Sequence, residues 1–368
     1  QGTGAVKWDL YRGQDILPMW VADMDFKSPP AVIEALQRRV EHGVFGYTSA
    51  PEELTAIIVE RLDRLYGWKV EPEWIVWLPG LVCGLNVVCR AVGRRGDGVL
   101  TQTPIYPPFL SAPKNQDRVV QTCRMVQQGG RWEIDFDDMR RAVNDSTKLY
   151  ILCNPHNPCG RIFSKSELEQ VAEFVLKNDL VLCSDEIHCD LLLDDKPHLP
   201  IATLSPEIAE RTITLMAPSK TYNIAGLGLS FAVISSPQLR AQAAAAKQGI
   251  VPWPNALSYT AALAAYQQGN VWLHELLNYL RLNRNLVERN INALQGLSCL
   301  HVEATYLAWL DVRALNLKDP HRFFKDAGVG LSDGKEFDGD GFLRLNFGCP
   351  RAMLEKALAR IEIAVASL

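Results

Sequence analysis

Between residues 74 and 235, short apolar runs alternate with amphipathic segments, and this alternation restricts the fold more than any other feature of the chain. The runs WIVWL (74–78), GVLTQ (98–102), KLYILC (148–153), LVLCS (180–184), RTITLM (211–216) and GLSFAVIS (228–235) read as strands buried on both faces. Helical patterns lie between them. The clearest is 164–177, where Ser164 and Glu167 have capping-box spacing and Leu168, Val171, Ala172, Val175 and Leu176 recur at helical intervals. Strand and helix in alternation predict an α/β fold with a mostly parallel, doubly wound sheet.

The C-terminal third changes character. Long helical stretches run through 241–294, followed by the strand-like YLAWLDV (306–312) and FLRLNF (342–347). This pattern predicts a smaller α+β domain. The N-terminus joins it, because Ser28-Pro29-Pro30 is a helix start with Ile33, Leu36 and Val40 on one face. The expected division is 1–42 as the N-terminal segment of the small domain, 43–255 as the large domain and 256–368 as the rest of the small one.

Composition narrows the function. A chain of 368 residues, 48% hydrophobic and 22% charged, has the make-up of a globular enzyme with a large core. With 38 Lys+Arg against 42 Asp+Glu and no basic run, nucleic acid is not an expected partner. No apolar stretch reaches the roughly 18–20 residues of a membrane span. The first residue is Gln, so a segment upstream is left open. The nine cysteines are odd in number and mostly set in apolar runs, which predicts reduced, buried thiols in a cytoplasmic protein. Their six-residue steps (Cys83/Cys89, Cys153/Cys159, Cys183/Cys189) match no zinc pattern, and no metal is expected.

Ligands of open α/β sheets bind beyond the carboxyl ends of the strands, and the reactive residues of this chain cluster there. WIVWL leads into the glycine turn PGLVCGLN, a helix start whose free N–H groups suit a phosphate. GVLTQ leads to Tyr106, KLYILC to Asn154 and Asn157, LVLCS to Asp185 and His188, and RTITLM to Ser219 and Lys220. Each alone has an ordinary explanation: a turn, a helix cap, a surface charge, a rim aromatic or a core histidine. Together they meet one chemical need. Pyridoxal phosphate requires a lysine for the Schiff base, a carboxylate for its ring nitrogen, an aromatic face, a donor to its phenolate and a phosphate cradle. Lys220, Asp185, Tyr106, Asn157 and the Gly80–Cys83 turn are the candidates for these parts.

The chain also resembles the fold-type I pyridoxal-phosphate enzymes, and among them the MalY/PatB branch of cystathionine β-lyases. The similarity is carried by WVADMDF (20–26), GVFGYT (43–48), TPIYPPF (103–109), NPHNPCGR (154–161), SDEIHCD (184–190), APSKTYNIAGLG (217–228), AAYQQG (264–269), YLAWLDVR (306–313) and LRLNFGCPR (343–351). It implies an aminotransferase-like architecture: a mostly parallel seven-stranded sheet domain, here the pyridoxal-phosphate domain, with a smaller α+β domain. It implies that Lys220 carries the cofactor and moves the α-proton, that Asp185 pairs with the ring nitrogen, and that Asn157 and His188 bond the phenolic oxygen. Tyr106 would stack on the ring. The backbone of Leu81 and Val82, Ser219, and Tyr47 from a second subunit would hold the phosphate, which makes the expected assembly a homodimer with shared sites. Arg344 would clasp the carboxylate of an amino-acid substrate.

Carbanion chemistry alone does not separate β-elimination from transamination. His188, where many aminotransferases of this fold carry tyrosine, and the NIAGL sequence after Lys220 favour a carbon–sulfur β-lyase. The alternatives are a broad-specificity aminotransferase and a cofactor-binding regulatory protein. Pro107 follows Tyr106 where relatives have a second aromatic residue, so no leaving-group role is assigned at that position, and Tyr222 is not assigned one in its place.

Overall fold

The computed structural model describes residues 2–368. In chain order its strands are β1 (Leu17–Pro18), β2 (Ile75–Leu78), β3 (Gly98–Thr103), β4 (Val119–Gln128), β5 (Arg131–Ile134), β6 (Thr147–Cys153), β7 (Val181–Asp185), β8 (Thr212–Met216), β9 (Ser230–Val233), β10 (Ser298–Cys299), β11 (Leu307–Asp311), β12 (Val329–Gly330), β13 (Ser332–Asp333) and β14 (Phe342–Asn346). The large sheet has the order β2-β9-β8-β7-β6-β3-β4-β5. From β8 to β4 neighbouring strands are parallel, β9 is antiparallel to both its neighbours, and β5 folds back on β4 as a hairpin. Six of the strands from β2 to β4 are the runs read from the sequence; β4, not among them, completes the seven that the resemblance implies, and β5 extends the sheet by one.

The period of two along β6 shows why these runs are apolar throughout. Leu149, Ile151 and Cys153 share a core with Leu85 and Val88 of the helix Leu81–Ala91, whereas Tyr150 and Leu152 pack on the other face with Leu168 and Val171 of the helix Lys165–Lys177. A strand covered on both faces has no polar side to show. The Ser164–Glu167 capping box forms as its spacing predicts. Leu176, placed by its spacing on the buried stripe, is exposed, and Phe174 takes the inward position instead.

The helix Pro30–His42 also differs from expectation. Its inward stripe is Val32, Ala35 and Leu36, and Val40 is exposed, because the stripe lies one position from the one that Ile33 and Val40 would define. A second, antiparallel sheet, β10-β11-β14-β13, lies beside the C-terminal helices Asn270–Asn292 and Arg351–Ala366. β1 pairs in parallel with β12, which ties the N-terminal segment to this region. All nine cysteines are free, and Cys83 alone is not fully buried. Among the described residues no helix is long and apolar enough to cross a membrane.

Candidate active site

The chain order of the parallel strands reverses between β3 and β6, and the crevice beyond their carboxyl ends is where a doubly wound sheet binds its ligand. A cavity of about 370 Å³ lies there. Tyr106 follows β3, Asn157 follows β6, Asp185 ends β7 with His188 just after it, and Ser219 and Lys220 follow β8. All of them line this cavity, together with Leu81 and Val82 from the helix after β2 and Arg344 from β14. Asn154 lies outside the lining; its side chain accepts from the N–H of Phe163 and serves the turn.

The cavity holds charges that the protein leaves unanswered. Asp185 is buried, receives the Ile187 N–H at 3.1 Å, and has no ion-pair partner among the described residues. Burial pushes its carboxyl up to about 7, with the Ile187 bond opposing and Glu186 adding to the rise. Arg344 is buried as well. It donates to Asn157 Oδ1 (3.0 Å), the Trp20 carbonyl (2.9 Å) and Ser332 Oγ (3.3 Å), but its Nε has no partner and no carboxylate answers its charge among the described residues. Burial lowers it to about 10. His188 is buried on the cavity lining with Nδ1 unpartnered among the described residues. Burial, then the nearby Lys220 and Arg344 charges, push it down to about 3, so the ring is neutral.

The helix Leu81–Ala91 starts at Gly80, whose φ of 146° L-residues rarely adopt, and no side chain caps it. Its first N–H groups therefore have no partner within the helix and face the cavity wall. A Cβ on Gly80 would meet no atom within 4 Å and would take up space at that wall. Gly228, also on the lining, has φ 64° and passes so close to Pro79 that a Cβ would stand 3.0 Å from its carbonyl oxygen. Gly226 makes no such approach.

The segment 20–24 roofs this site, and no site residue was read from it in the sequence. Lys220 Nζ donates to the Ala22 carbonyl at 2.6 Å and lies 3.8 Å from Asp23 Oδ1. Tyr306 donates to the same carbonyl at 2.8 Å, and Asn346 donates to the carbonyls of Val21 and Asp23. A backbone carbonyl has no side-chain signature; the visible signal was WVADMDF among the quoted similarities. Tyr47 is the expected site residue that this chain does not bring to the cavity. It is fully exposed and packs edge-on against Trp253, beside exposed Val44 and Phe45.

The class I and II aminotransferase family matches residues 14–361. Cystathionine β-lyase PatB of Bacillus subtilis (strain 168) is 40% identical, over 99% of this chain and 97% of its own. The crystal structure of OvoB is 45% identical with a TM-score of 0.98, covering 100% of this chain and 97% of that one. Cystalysin from Treponema denticola, which contains a pyridoxal 5'-phosphate cofactor, is 32% identical with a TM-score of 0.96, covering 100% and 97%. Similarity along essentially the whole chain, with the cavity at the strand ends where that fold binds, shows that the chain belongs to the aminotransferase class I and II family, in its PatB-type cystathionine β-lyase branch.

Proposed function

We propose that the protein is a pyridoxal-phosphate-dependent carbon–sulfur β-lyase that cleaves cystathionine or related S-substituted cysteines to pyruvate, ammonia and a thiol. The observation that carries the reading is the set of groups gathered around one cavity: a buried carboxylate and a buried guanidinium without ion-pair partners among the described residues, a lysine amine and an uncapped helix start.

These groups fit the cofactor part by part. Asp185 would hold a protonated ring nitrogen, and a cation there would return its carboxyl to the ionised form. The N–H groups of Leu81 and Val82 and the Ser219 hydroxyl suit the phosphate. Asn157 Oδ1 is taken by Arg344, which leaves its amide nitrogen to donate to the phenolic oxygen beside His188. Tyr106 would cover a ring face. Tyr47, exposed on an apolar surface, would reach the phosphate of a second subunit in a homodimer with shared sites. In this reading residues 43–255 form the cofactor domain, 1–42 and 256–368 form the small domain, and the enzyme is cytoplasmic.

Bound pyridoxal phosphate supplies a sink for the electron pair left at the substrate's α-carbon. Arg344 clasps the α-carboxylate bidentately and so fixes which α-bond faces the cofactor. Lys220 takes the α-proton. Its basicity is lowered by burial, with Asp23 and Asp185 opposing the fall and Arg344 adding to it, so the neutral amine that a base needs is favoured more than in a free lysine. Asp185 remains the counter-charge throughout.

The test is the purified protein with cystathionine. Continuous release of pyruvate, ammonia and thiol without an added keto acid is expected. Turnover that requires a keto-acid acceptor would replace the lyase with an aminotransferase, and bound cofactor without turnover would replace it with a regulatory protein.

A further inference from the structure

A partly exposed carboxylate, Asp23, stands beside the cavity without being part of its lining. Asp23 Oδ1 stands 3.8 Å from Lys220 Nζ, and among the described residues no other carboxylate lies within ion-pair distance of that nitrogen. Asp185 is committed elsewhere: it is buried at the end of β7, accepts from the Ile187 N–H, and makes no hydrogen bond to the lysine. Next to Asp23, the Ala22 carbonyl accepts directly from Nζ at 2.6 Å.

This pair of acceptors is held firmly in place. Tyr306 donates to the Ala22 carbonyl, the Asp23 carbonyl accepts from Lys7 (2.9 Å) and Asn346 (2.8 Å), and the Asp23 N–H donates to Val21 (2.8 Å). Lys7 is itself buried and paired with Asp25 at 2.7 Å. The segment is thus anchored through its backbone and through Asp25, and among the described residues the Asp23 carboxylate has Lys220 as its one charged partner.

We propose that Asp23 is a positioning residue for the general base: with the Ala22 carbonyl it holds the freed Lys220 ammonium at the cavity edge, so that the proton taken from the substrate stays on that nitrogen until sulfur leaves. This rests on the assignment of Lys220 as the base of a carbon–sulfur lyase. The Lys220 lone pair takes the α-proton and becomes an ammonium. As the carbon–sulfur bond breaks, the pair left at the α-carbon becomes the new double bond to the β-carbon, the carbon–sulfur pair leaves on sulfur, and the ammonium returns its proton to the thiolate. Asp23 remains a carboxylate and neither gains nor loses a proton. The step needs no second phenol beside Tyr106, where Pro107 stands.

The groups facing Lys220 act in both directions. Burial lowers its basicity most, Asp23 opposes that, Arg344 on β14 lowers it further and Asp185 raises it. His188 is neutral, and the phenols of Tyr106 and Tyr306 are held up by burial and uncharged. Asp23 is therefore the solvent-reachable negative charge in the balance, and its removal must make the lysine less basic.

The experiment uses apoprotein mixed with pyridoxal phosphate, with absorbance of the lysine-bound cofactor followed against pH. Capture needs the neutral amine. Asp23→Asn should move the capture midpoint down by about half to one pH unit, so that below the wild-type midpoint capture is about 3- to 10-fold faster. Asp23→Glu should return it towards wild type, and the acid limb of kcat in the holoenzyme, where the base must lose its proton, should move down with Asp23→Asn. Coincident midpoints for wild type and Asp23→Asn would overturn the proposal while leaving the lyase standing. Failure of wild type itself to capture the cofactor at Lys220 would overturn both.

Discussion

Two clusters of buried charge in this protein are built on opposite plans. Around Glu303 each charge has its counter-charge: the carboxylate accepts from Lys196 (2.8 Å), Arg131 (3.1 Å) and the Ile162 N–H (2.9 Å), while buried Arg161 pairs with Glu167 at 2.8 Å and lies 3.6 Å from Glu303. Burial alone would push the Glu303 carboxyl up, yet the Lys196 and Ile162 bonds and the Arg161 and Arg131 charges bring it below its usual value. Around Asp185, Arg344 and His188 the shifts run towards neutrality instead, because burial dominates and no ion-pair partner among the described residues offsets it. The first cluster locks two segments 141 residues apart in sequence. The second leaves its charges for a ligand that brings complementary ones.

That contrast predicts different failures. The largest is Lys220→Ala, which removes both the attachment point and the base. Pyruvate formation should fall by at least about 10³-fold, while the melting temperature of the apoprotein stays near wild type. Retained turnover would remove Lys220 from the centre of the reading.

Asp185→Asn and Glu303→Gln then set the two plans against each other. Asp185→Asn should cut kcat by about 10²- to 10³-fold without destabilising the apoprotein. Glu303→Gln, which removes the counter-charge shared by Lys196, Arg131 and Arg161 while Arg161 keeps Glu167, should cost about 1–3 kcal/mol in denaturant unfolding and change kcat only a few-fold. If both lose stability and neither loses rate, the clusters do not differ in kind.

The pH dependence of the apoprotein sharpens the same point. Asp185 ionises near 3.8 when unfolded and near 7 when folded, so its stabilising contribution is complete at low pH and is lost as pH rises through that window. His188 works the other way, since its folded value of about 3 lies below the unfolded one and stability falls with acid. The difference between wild type and Asp185→Asn isolates the carboxylate: wild type should lose ground to the variant between about pH 4 and 7. Added pyridoxal phosphate should flatten the difference by supplying the missing cation.

Tyr47→Phe should act more mildly. Loss of one hydrogen bond to a charged phosphate corresponds to about 10-fold weaker cofactor retention, measured by dialysis and absorbance. Unchanged retention in a protein that sediments as a monomer would mean that the fully exposed Tyr47 serves no second subunit.

The legible parts of the molecule are those where one physical cause acts alone. Strands β6 and β7 are buried at nearly every position, so the apolar runs LYILC and LVLC identify them. β4 was not foreseen, because VVQTCRMVQQ lies near the sheet edge, half solvated, and carries no clean period. Lys220, Asp185 and Arg344 could be found because a reactive side chain at a strand end, or within a recognisable motif, announces itself. Ala22 could not, because its role belongs to a carbonyl placed by Tyr306, 284 residues away. Val40 failed for another reason: two overlapping stripes on one helix are equally apolar, and only the partner helix decides between them.

The smallest expected effect tests whether the Glu303 cluster is as redundant as its geometry implies. Arg131 is 41% exposed, and Lys196 and Arg161 remain beside Glu303 when it is removed. An exposed arm of an ion pair contributes little, so Arg131→Ala should cost under about 1 kcal/mol and leave kcat unchanged. The open cluster has no such reserve. Arg344 is the lone cation placed to meet a substrate carboxylate inside the cavity, so even Arg344→Lys, which keeps the charge but loses the fork, should raise KM by about 10-fold or more. A loss for Arg131→Ala as large as that for Glu303→Gln would show that the closed cluster depends on every arm, and that redundancy is not what separates a structural charge cluster from a binding one.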